Sequence, residues 1–177
     1  MSQHKILKRI RFLIALIITG LAISGITAFP LVTELTLFDQ YLQSHSSNNS
    51  LNDWIHRVAT ALKETDSTYP FMAYGTDWLA FAHLVIAIAF LGPYKDPIKN
   101  RWVIDWGLIN CILVIPLAMI AGSIRDIPFF HQLIDCSFGI IGFIILFICR
   151  NLIVQLTQYN KASVTYINSE DLHQALP

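Results

Sequence analysis

The sequence predicts an all-α polytopic membrane protein, a bundle of four transmembrane helices with a short amphipathic helix on the outer side. Three observations predict this class. The mean hydropathy is +0.53 and only 14% of the residues are charged, which is poor composition for a soluble domain of 177 residues. Four long apolar stretches are separated by polar segments. Basic residues are concentrated in alternate polar segments, as in chains that cross a bilayer repeatedly.

The four predicted spans are justified by their lengths and by the residues that end them. Roughly 20 apolar residues, rising about 1.5 Å each, cross a hydrocarbon core about 30 Å thick. The spans cover about residues 12–29, 75–93, 102–121 and 129–149. They end at Pro30, at Gly92 with Pro93, at Gly122 and at Arg150. The first span lacks a small-residue cleavage site, so we expect an uncleaved helix rather than a signal peptide.

The distribution of Lys and Arg predicts the topology. Nine of the twelve lie before the first span, between the second and third spans, or after the fourth: Lys5, Lys8, Arg9, Arg11, Lys95, Lys99, Arg101, Arg150 and Lys161. By the positive-inside rule this side is cytoplasmic, so both termini are expected in the cytoplasm. Residues 1–155 then form the membrane domain, and the polar residues 156–177 form a frayed cytoplasmic tail.

The predicted outer loop, residues 30–74, is too short to build a core of its own. Residues 44–50 are a polar break, and Ser50 followed by Asp53 is typical of a helix capping box. Apolar residues then recur at helical spacing: Leu51, Trp54, Ile55, Val58 and Leu62. We expect an amphipathic helix over about residues 51–63, which either covers the bundle or closes over a site as a lid. A second short helix is expected over residues 34–42.

Ionisable side chains inside the spans are the main candidates for chemistry, because in lipid they must face other helices and pair. The second and fourth spans carry Asp77, His83, His131 and Asp135. Counted from the helix starts at about 1.5 Å per residue, His83 and Asp135 lie about 12 and 9 Å deep, and the other two about 3 Å deep. We therefore predict one connected polar cluster between these spans, in the outer half of the membrane.

One face of the fourth span is expected to be buried. His131 and Asp135 are four residues apart and stack on one side of a helix. The same side continues through Gly139 and Gly142, which permit close approach of a neighbouring helix. This face is expected to carry the cluster into the bundle.

The cluster has a structural and a functional interpretation. It is either an internal network that determines which helices pair, or a site for a metal, a proton path or a small ligand. His83, His131 and Asp135 are candidate metal ligands, although their spacing matches no established motif. A haem held by His83 and His131 is disfavoured because their heights differ by about 9 Å. A quinone that is hydrogen-bonded to His83 or Asp135 remains an alternative, and no cofactor is assigned.

Secondary candidates lie outside the cluster. Arg125 and Asp126 occupy the tight outer loop 122–128, where Arg125 is expected to be a counter-ion for an aspartate of the cluster or an anchor for an anionic ligand. Asp105 lies near the cytoplasmic end of the third span, where it can pair with Lys99 or Arg101 in a surface role.

Several function classes find no support in the sequence. It contains no Gly-rich phosphate loop, nucleotide fingerprint or basic patch suited to nucleic acid, and its cysteines, Cys111, Cys136 and Cys149, form no CxxC motif. The bilayer is the expected partner, with a homo-oligomer or a larger membrane complex left open. The sequence favours a small scaffold or accessory subunit whose cluster is structural. The alternative is a membrane redox component or a proton-coupled carrier that binds a ligand at the cluster.

Parts of residues 69–150 resemble a known group of proteins. The segments 69–71, 74–83 and 127–139 look like those of an uncharacterised family of small four-span bacterial inner-membrane proteins. The resemblance implies a bacterial source, a location in the cytoplasmic membrane and the four-span architecture. It transfers no catalytic residue to this chain.

Overall fold

The fold is helical throughout the part of the chain that can be described. A computed structural model describes residues 2–45 and 49–174, with side chains as far as Asn160. Residues 46–48 of the predicted polar break and residues 175–177 of the predicted tail lie outside it. The helices are α1 (Gln3–Ala28), α2 (Leu31–His45), α3 (Ser50–Thr68), α4 (Tyr74–Ala89), α5 (Leu91–Lys95), α6 (Arg101–Ile124) and α7 (Phe129–Gln174). A single 3-10 turn, Pro70–Ala73, precedes α4.

Among the residues that the structure describes, four helical segments have the length and apolar composition needed to cross a membrane. They are Gln3–Ala28, Pro70–Lys95, Arg101–Ile124 and Phe129–Asn160. The prediction of an all-α chain with four such helices is confirmed. Each segment is longer than the predicted span because helix formation continues into the flanking polar residues, as it does through the basic residues at the start of α1.

The fourth of these helices does not stop at Arg150, where the sequence analysis placed its end. α7 continues as one helix of 46 residues to Gln174. No Gly or Pro follows Gly142 until Pro177, so nothing in the sequence interrupts the backbone hydrogen bonding. Ile153 and Leu156 are also buried beyond the predicted end. The segment expected to be a frayed tail is therefore helical as far as Gln174.

The chain folds into two compact units. The first combines Met1–Ile18 with Ala89–Pro177, and the second is Thr19–Ile88. In the first unit α6 packs along α7. A Cβ atom built on Gly139 would lie 2.7 Å from the carbonyl oxygen of Cys111, and one on Gly142 would lie 3.0 Å from the Cys111 Sγ. The predicted close approach at these two glycines is therefore present, and its partner is α6.

The buried stripe at the start of α7 includes Gly139 of the predicted face but begins at Gln132 and not at His131. Gln132, Cys136 and Gly139 are buried, whereas His131 and Asp135 are only half-buried beside them. Residues spaced by four and then three keep one side of a helix turned toward α6, and this spacing begins at Gln132. His131 and Asp135 therefore lie at the edge of the side that faces α6, and their burial within the bundle stays a prediction.

In the second unit α2 packs on α3, and the two are joined by a short connection. Both helices were predicted, and both extend further than expected. The cap of α3 is Asn49 and not Ser50, because the Asn49 Oδ1 accepts hydrogen bonds from the backbone N–H groups of Leu51 at 3.1 Å and Asn52 at 3.0 Å. A carboxamide oxygen one residue earlier satisfies the free N–H groups of the first turn, so Ser50 is the first helical residue.

Two further contacts hold this unit together. The Asp39 Oδ2 lies 2.9 Å from the His56 Nδ1 and connects α2 to α3. A Cβ atom on Gly25 would lie 2.8 Å from the carbonyl oxygen of Ala80, so α1 and α4 approach each other closely at this glycine. Whether α3 lies on the outer side of the membrane stays a prediction.

Candidate functional site

Half of the predicted polar cluster lies on the first two turns of α7. The His131 Nε2 and the Asp135 Oδ1 are 4.0 Å apart, one helical turn from each other. Their side chains are 36% and 44% exposed. The spacing of four residues thus brings the imidazole and the carboxylate together on one side of the helix, as the sequence predicts.

The other half lies on α4. The His83 Nδ1 is 2.8 Å from the carbonyl oxygen of Leu79, so the ring donates to its own helix when Nδ1 carries the proton. Asp77 lies in the first turn of α4, where the helix dipole favours a carboxylate. Asp77 and His83 belong to the second unit, and His131 and Asp135 belong to the first. The connection of the two pairs into one cluster stays a prediction.

Among the residues that the structure describes, no three or more His, Cys, Asp or Glu side chains are grouped so as to hold a metal ion. The His131 and Asp135 pair provides two such side chains. By itself it can hold a proton or orient a polar ligand.

The shortest ion pair between helices in the described part of the chain joins α7 to α6. The Arg150 Nε donates to the Asp105 Oδ1 at 2.7 Å, which joins α7 to α6. The Arg101 Nε lies 3.5 Å from the other Asp105 oxygen. Asp105 therefore does pair with Arg101, but its shorter contact is with Arg150, and the backbone N–H of Lys99 instead donates to Asp96.

Sequence reasoning missed Arg150 as a partner because Arg150 was used only as a topological signal and as the end of the fourth span. The residue count that predicted the depths of His83 and Asp135 would also have predicted the pairing of Arg150 with Asp105. Asp105 lies close to the start of the third span and Arg150 follows the end of the fourth, so both belong to the same membrane boundary. Two helices that run in opposite directions bring such positions together.

The outer loop candidates turn out to shape the connection between α6 and α7. Asp126 has a φ of 54°, and the backbone N–H of Ile127 donates to the carbonyl oxygen of Gly122 at 2.9 Å. This pattern is a Schellman motif, in which a short polar residue tolerates the left-handed conformation. Arg125 is exposed, and among the described residues it forms no ion pair with Asp135. The structure therefore shows no counter-ion contact from Arg125 to the cluster aspartate of this unit.

A second residue missed by the sequence analysis is Gln132. Its side chain is 4% exposed, and its Nε2 donates to the carbonyl oxygen of Ile127 at 2.8 Å. A Cβ on Gly122 would lie 2.7 Å from the Gln132 Cγ, so the glycine makes room for the amide. Gly122 was interpreted only as a helix stop, and its second role depends on a contact that the sequence does not contain.

A cavity of about 410 Å³ opens in the first unit, beside the start of α1, the connection between α5 and α6, and α7. Its polar lining consists of Gln3, His4, Arg11, Lys95, Asp96 and Asn160. Its apolar lining includes Leu7, Ile98 and Leu156. The sequence analysis used the basic residues of this region for topology and predicted no site among them.

Comparisons with protein-family models, with curated proteins and with solved structures gave no match. The arrangement of the residues themselves is the remaining guide to function. In the described part of the chain this arrangement includes ion pairs and capping contacts that stabilise helices, and the basic cavity.

Proposed function

We propose that this chain is a non-enzymatic scaffold or accessory subunit of the bacterial cytoplasmic membrane, with both termini in the cytoplasm. The observation that carries the proposal is that several polar side chains of the spans bond to their own helix or to the adjacent one. Four of them donate to carbonyl oxygens one turn earlier: Thr27 to Ile23, Asn110 to Trp106, Ser123 to Met119, and Ser137 to Ile134. Groups satisfied in this way have a hydrogen-bond partner within the chain and do not need one from a substrate.

The surfaces of the spans support the same function. Within the apolar segment of each candidate span only 11% to 22% of the residues are buried, and α6 is the least buried. Leu113 and Leu117 of α6 are 57% and 63% exposed. Such faces pack against lipid or against helices of other membrane proteins, which is what an accessory subunit presents.

The location and orientation follow from two lines of support. The concentration of Lys and Arg before α1, between α5 and α6 and after the fourth span favours a cytoplasmic position for those segments. The resemblance of residues 69–150 to a family of bacterial inner-membrane proteins favours the cytoplasmic membrane of a bacterium.

An absorption spectrum and a metal analysis of the purified protein distinguish this proposal from a redox function. A scaffold has no Soret band and no stoichiometric metal or quinone. A haem absorption near one per chain, or one bound metal ion per chain, would contradict the proposal and favour a membrane redox component.

Substitution of the cluster tests whether its role is structural. We expect His83→Ala to lower the melting temperature in detergent, and we expect Asp135→Asn to add little to that loss if the two residues share one network. Asn110→Ala is the control, because Asn110 bonds only to its own helix. Variants that keep the melting temperature but lose activity in cells would favour a carrier or a redox site instead.

Site-specific photocrosslinking in the native membrane tests the accessory role directly. A photoreactive residue at Leu113 or Leu117 is expected to form an adduct of one discrete mass with another polypeptide or with a second copy of the chain. If both positions, and a third at Ile124 in the last turn of α6, react only with lipid, this helix is not an interface.

A further inference from the structure

The basic cavity is bounded by segments that are far apart in the chain but belong to the same compact unit. The Gln3 Nε2 donates to the Asn160 Oδ1 at 2.6 Å across the start of α1 and α7. On another side the Arg11 Nε donates to the carbonyl oxygen of Tyr94 at 3.3 Å, and its guanidinium carbon lies 6.0 Å from the centre of the Tyr94 ring. These two contacts attach α1 to both neighbouring walls, so the cavity is part of the folded unit.

The charge of the cavity is positive. Arg11 and Lys95 carry permanent positive charges at neutral pH, and His4 adds a ring nitrogen that can donate. Asp96 is the single carboxylate of the lining. Its Oδ1 accepts hydrogen bonds from the backbone N–H groups of Ile98 at 3.2 Å and Lys99 at 3.0 Å. That oxygen is engaged in holding the loop, and the two cations outnumber the carboxylate.

The shape and chemistry of the cavity match a phosphate group attached to a larger body. A volume of about 410 Å³ lies within the range of small-molecule sites, about 300 to 1,000 Å³, and far exceeds that of a bare ion. Arginine and lysine are the residues that bind phosphate oxygens most readily. Leu7, Ile98 and Leu156 provide an apolar surface beside the cations, suitable for carbon atoms next to the phosphate.

We propose that the cavity lined by Arg11, Lys95 and His4 binds a phosphate group, carried either by an anionic phospholipid headgroup or by a soluble phosphate compound. Basic pockets between helices at the cytoplasmic face of membrane proteins are a recurrent setting for anionic headgroups. The proposal does not depend on the scaffold function, because it rests on the charge and geometry of one unit.

The test measures binding to the full chain in a neutral detergent after removal of lipid. Phosphatidylglycerol is titrated and followed by native mass spectrometry, and phosphatidylethanolamine, which has no net charge, is the lipid control. We expect the Arg11→Gln, Lys95→Gln double variant to bind phosphatidylglycerol about 25-fold more weakly, about five-fold for each cation lost. The matched control is Arg9→Gln with Lys99→Gln, which removes two exposed cations near the cavity that do not line it. Its affinity should stay within about two-fold of the unaltered chain at an ionic strength of about 0.15 M.

The single variant Lys95→Gln separates a loss of binding from a folding defect. Lys95 is exposed and makes no side-chain hydrogen bond or ion pair with any residue that the structure describes, so its loss should leave the melting temperature unchanged while weakening binding about five-fold. Titrations with inorganic phosphate and with glycerol 3-phosphate distinguish a phospholipid headgroup from a soluble phosphate compound as the ligand. Binding of phosphatidylglycerol alone identifies a lipid site, and binding of glycerol 3-phosphate with similar affinity identifies a soluble ligand. Equal losses in the cavity and control variants, or equal binding of both lipids, would overturn the proposal.

Discussion

The carboxylate of Asp105 faces two guanidinium groups and contributes to the packing of α6 against α7. Its 2.7 Å bond to Arg150 crosses between α6 and α7, while its 3.5 Å contact with Arg101 stays within α6. All three side chains are roughly 40% exposed, so water weakens the attraction but does not abolish it. The contact between helices therefore restricts their register more than it stabilises either helix.

We predict that Arg150→Gln lowers the free energy of unfolding by about 1 kcal/mol, at the upper end for a partly exposed ion pair. Arg101→Gln should cost less because its contact is longer and local. Thermal unfolding in detergent measures both, and a double-mutant cycle of Arg150→Gln with Asp105→Asn isolates the pair. Additive losses in that cycle would mean that the two residues do not interact.

Residue pairs within one helix were predictable, and pairs between helices were not. The spacing of four residues was enough to bring His131 beside Asp135. Arg150 was missed because its partner Asp105 lies on another helix, and the depths of the two residues were not compared. Gln132 was missed because its bond to Ile127 depends on the conformation of the connection between α6 and α7, which no local pattern in the sequence reports.

At the scale of elements, glycines decide where helices can touch. The space beside Gly139 is occupied by a backbone carbonyl oxygen and by the Val114 side chain, at 2.7 and 2.8 Å from a Cβ atom. Gly20 on α1 has nothing within 4 Å of the same position. The two residues have the same intrinsic helix propensity and differ only in their surroundings.

We predict that Gly139→Ala lowers the free energy of unfolding by about 1 to 3 kcal/mol, because a methyl group forces the α6 backbone away. Gly20→Ala should be neutral or should raise stability by up to about 1 kcal/mol, the usual gain of alanine in a helix. The melting temperatures of the two variants provide the comparison. If Gly139→Ala is as stable as Gly20→Ala, the close approach of α6 and α7 is not tight.

The start of α3 provides a second prediction at this scale. Asn49→Ala should cost about 1 kcal/mol of helix stability, whereas Ser50→Ala should cost almost nothing. Amide hydrogen exchange in the first turn of α3 measures the effect, because fraying exposes the N–H groups of Leu51 and Asn52. Faster exchange in the Ser50→Ala variant alone would contradict capping by Asn49. It would support the capping box of Ser50 and Asp53 that the sequence pattern indicates.

Elements as such were largely predictable, and their ends were not. Every predicted helix is present because long apolar runs and helical spacing are strong signals. The end of the last helix was misplaced, since a charged residue such as Arg150 ends an apolar run but does not terminate a helix. Only a Gly, a Pro or a capping contact does that.

At the scale of the whole molecule, the orientation in the membrane is open to a direct test. In a background in which the three native cysteines are replaced by alanine, Asp66→Cys in α3 and Gln158→Cys in α7 introduce single exposed thiols. We predict that an impermeant maleimide labels the first in intact cells and the second only after permeabilisation, because the basic segments remain inside. The reverse pattern would invert the topology.

The hydrogen bond between Gln3 and Asn160 joins residues 157 positions apart. Ribosomes add about 5 to 20 residues per second, so Asn160 is made about 8 to 30 s after Gln3. During that interval the first helix has left the ribosome while one wall of the basic cavity has not yet been synthesised. A chain stalled before Leu156 therefore lacks a complete phosphate site, and the cavity cannot be complete until Asn160 has been made.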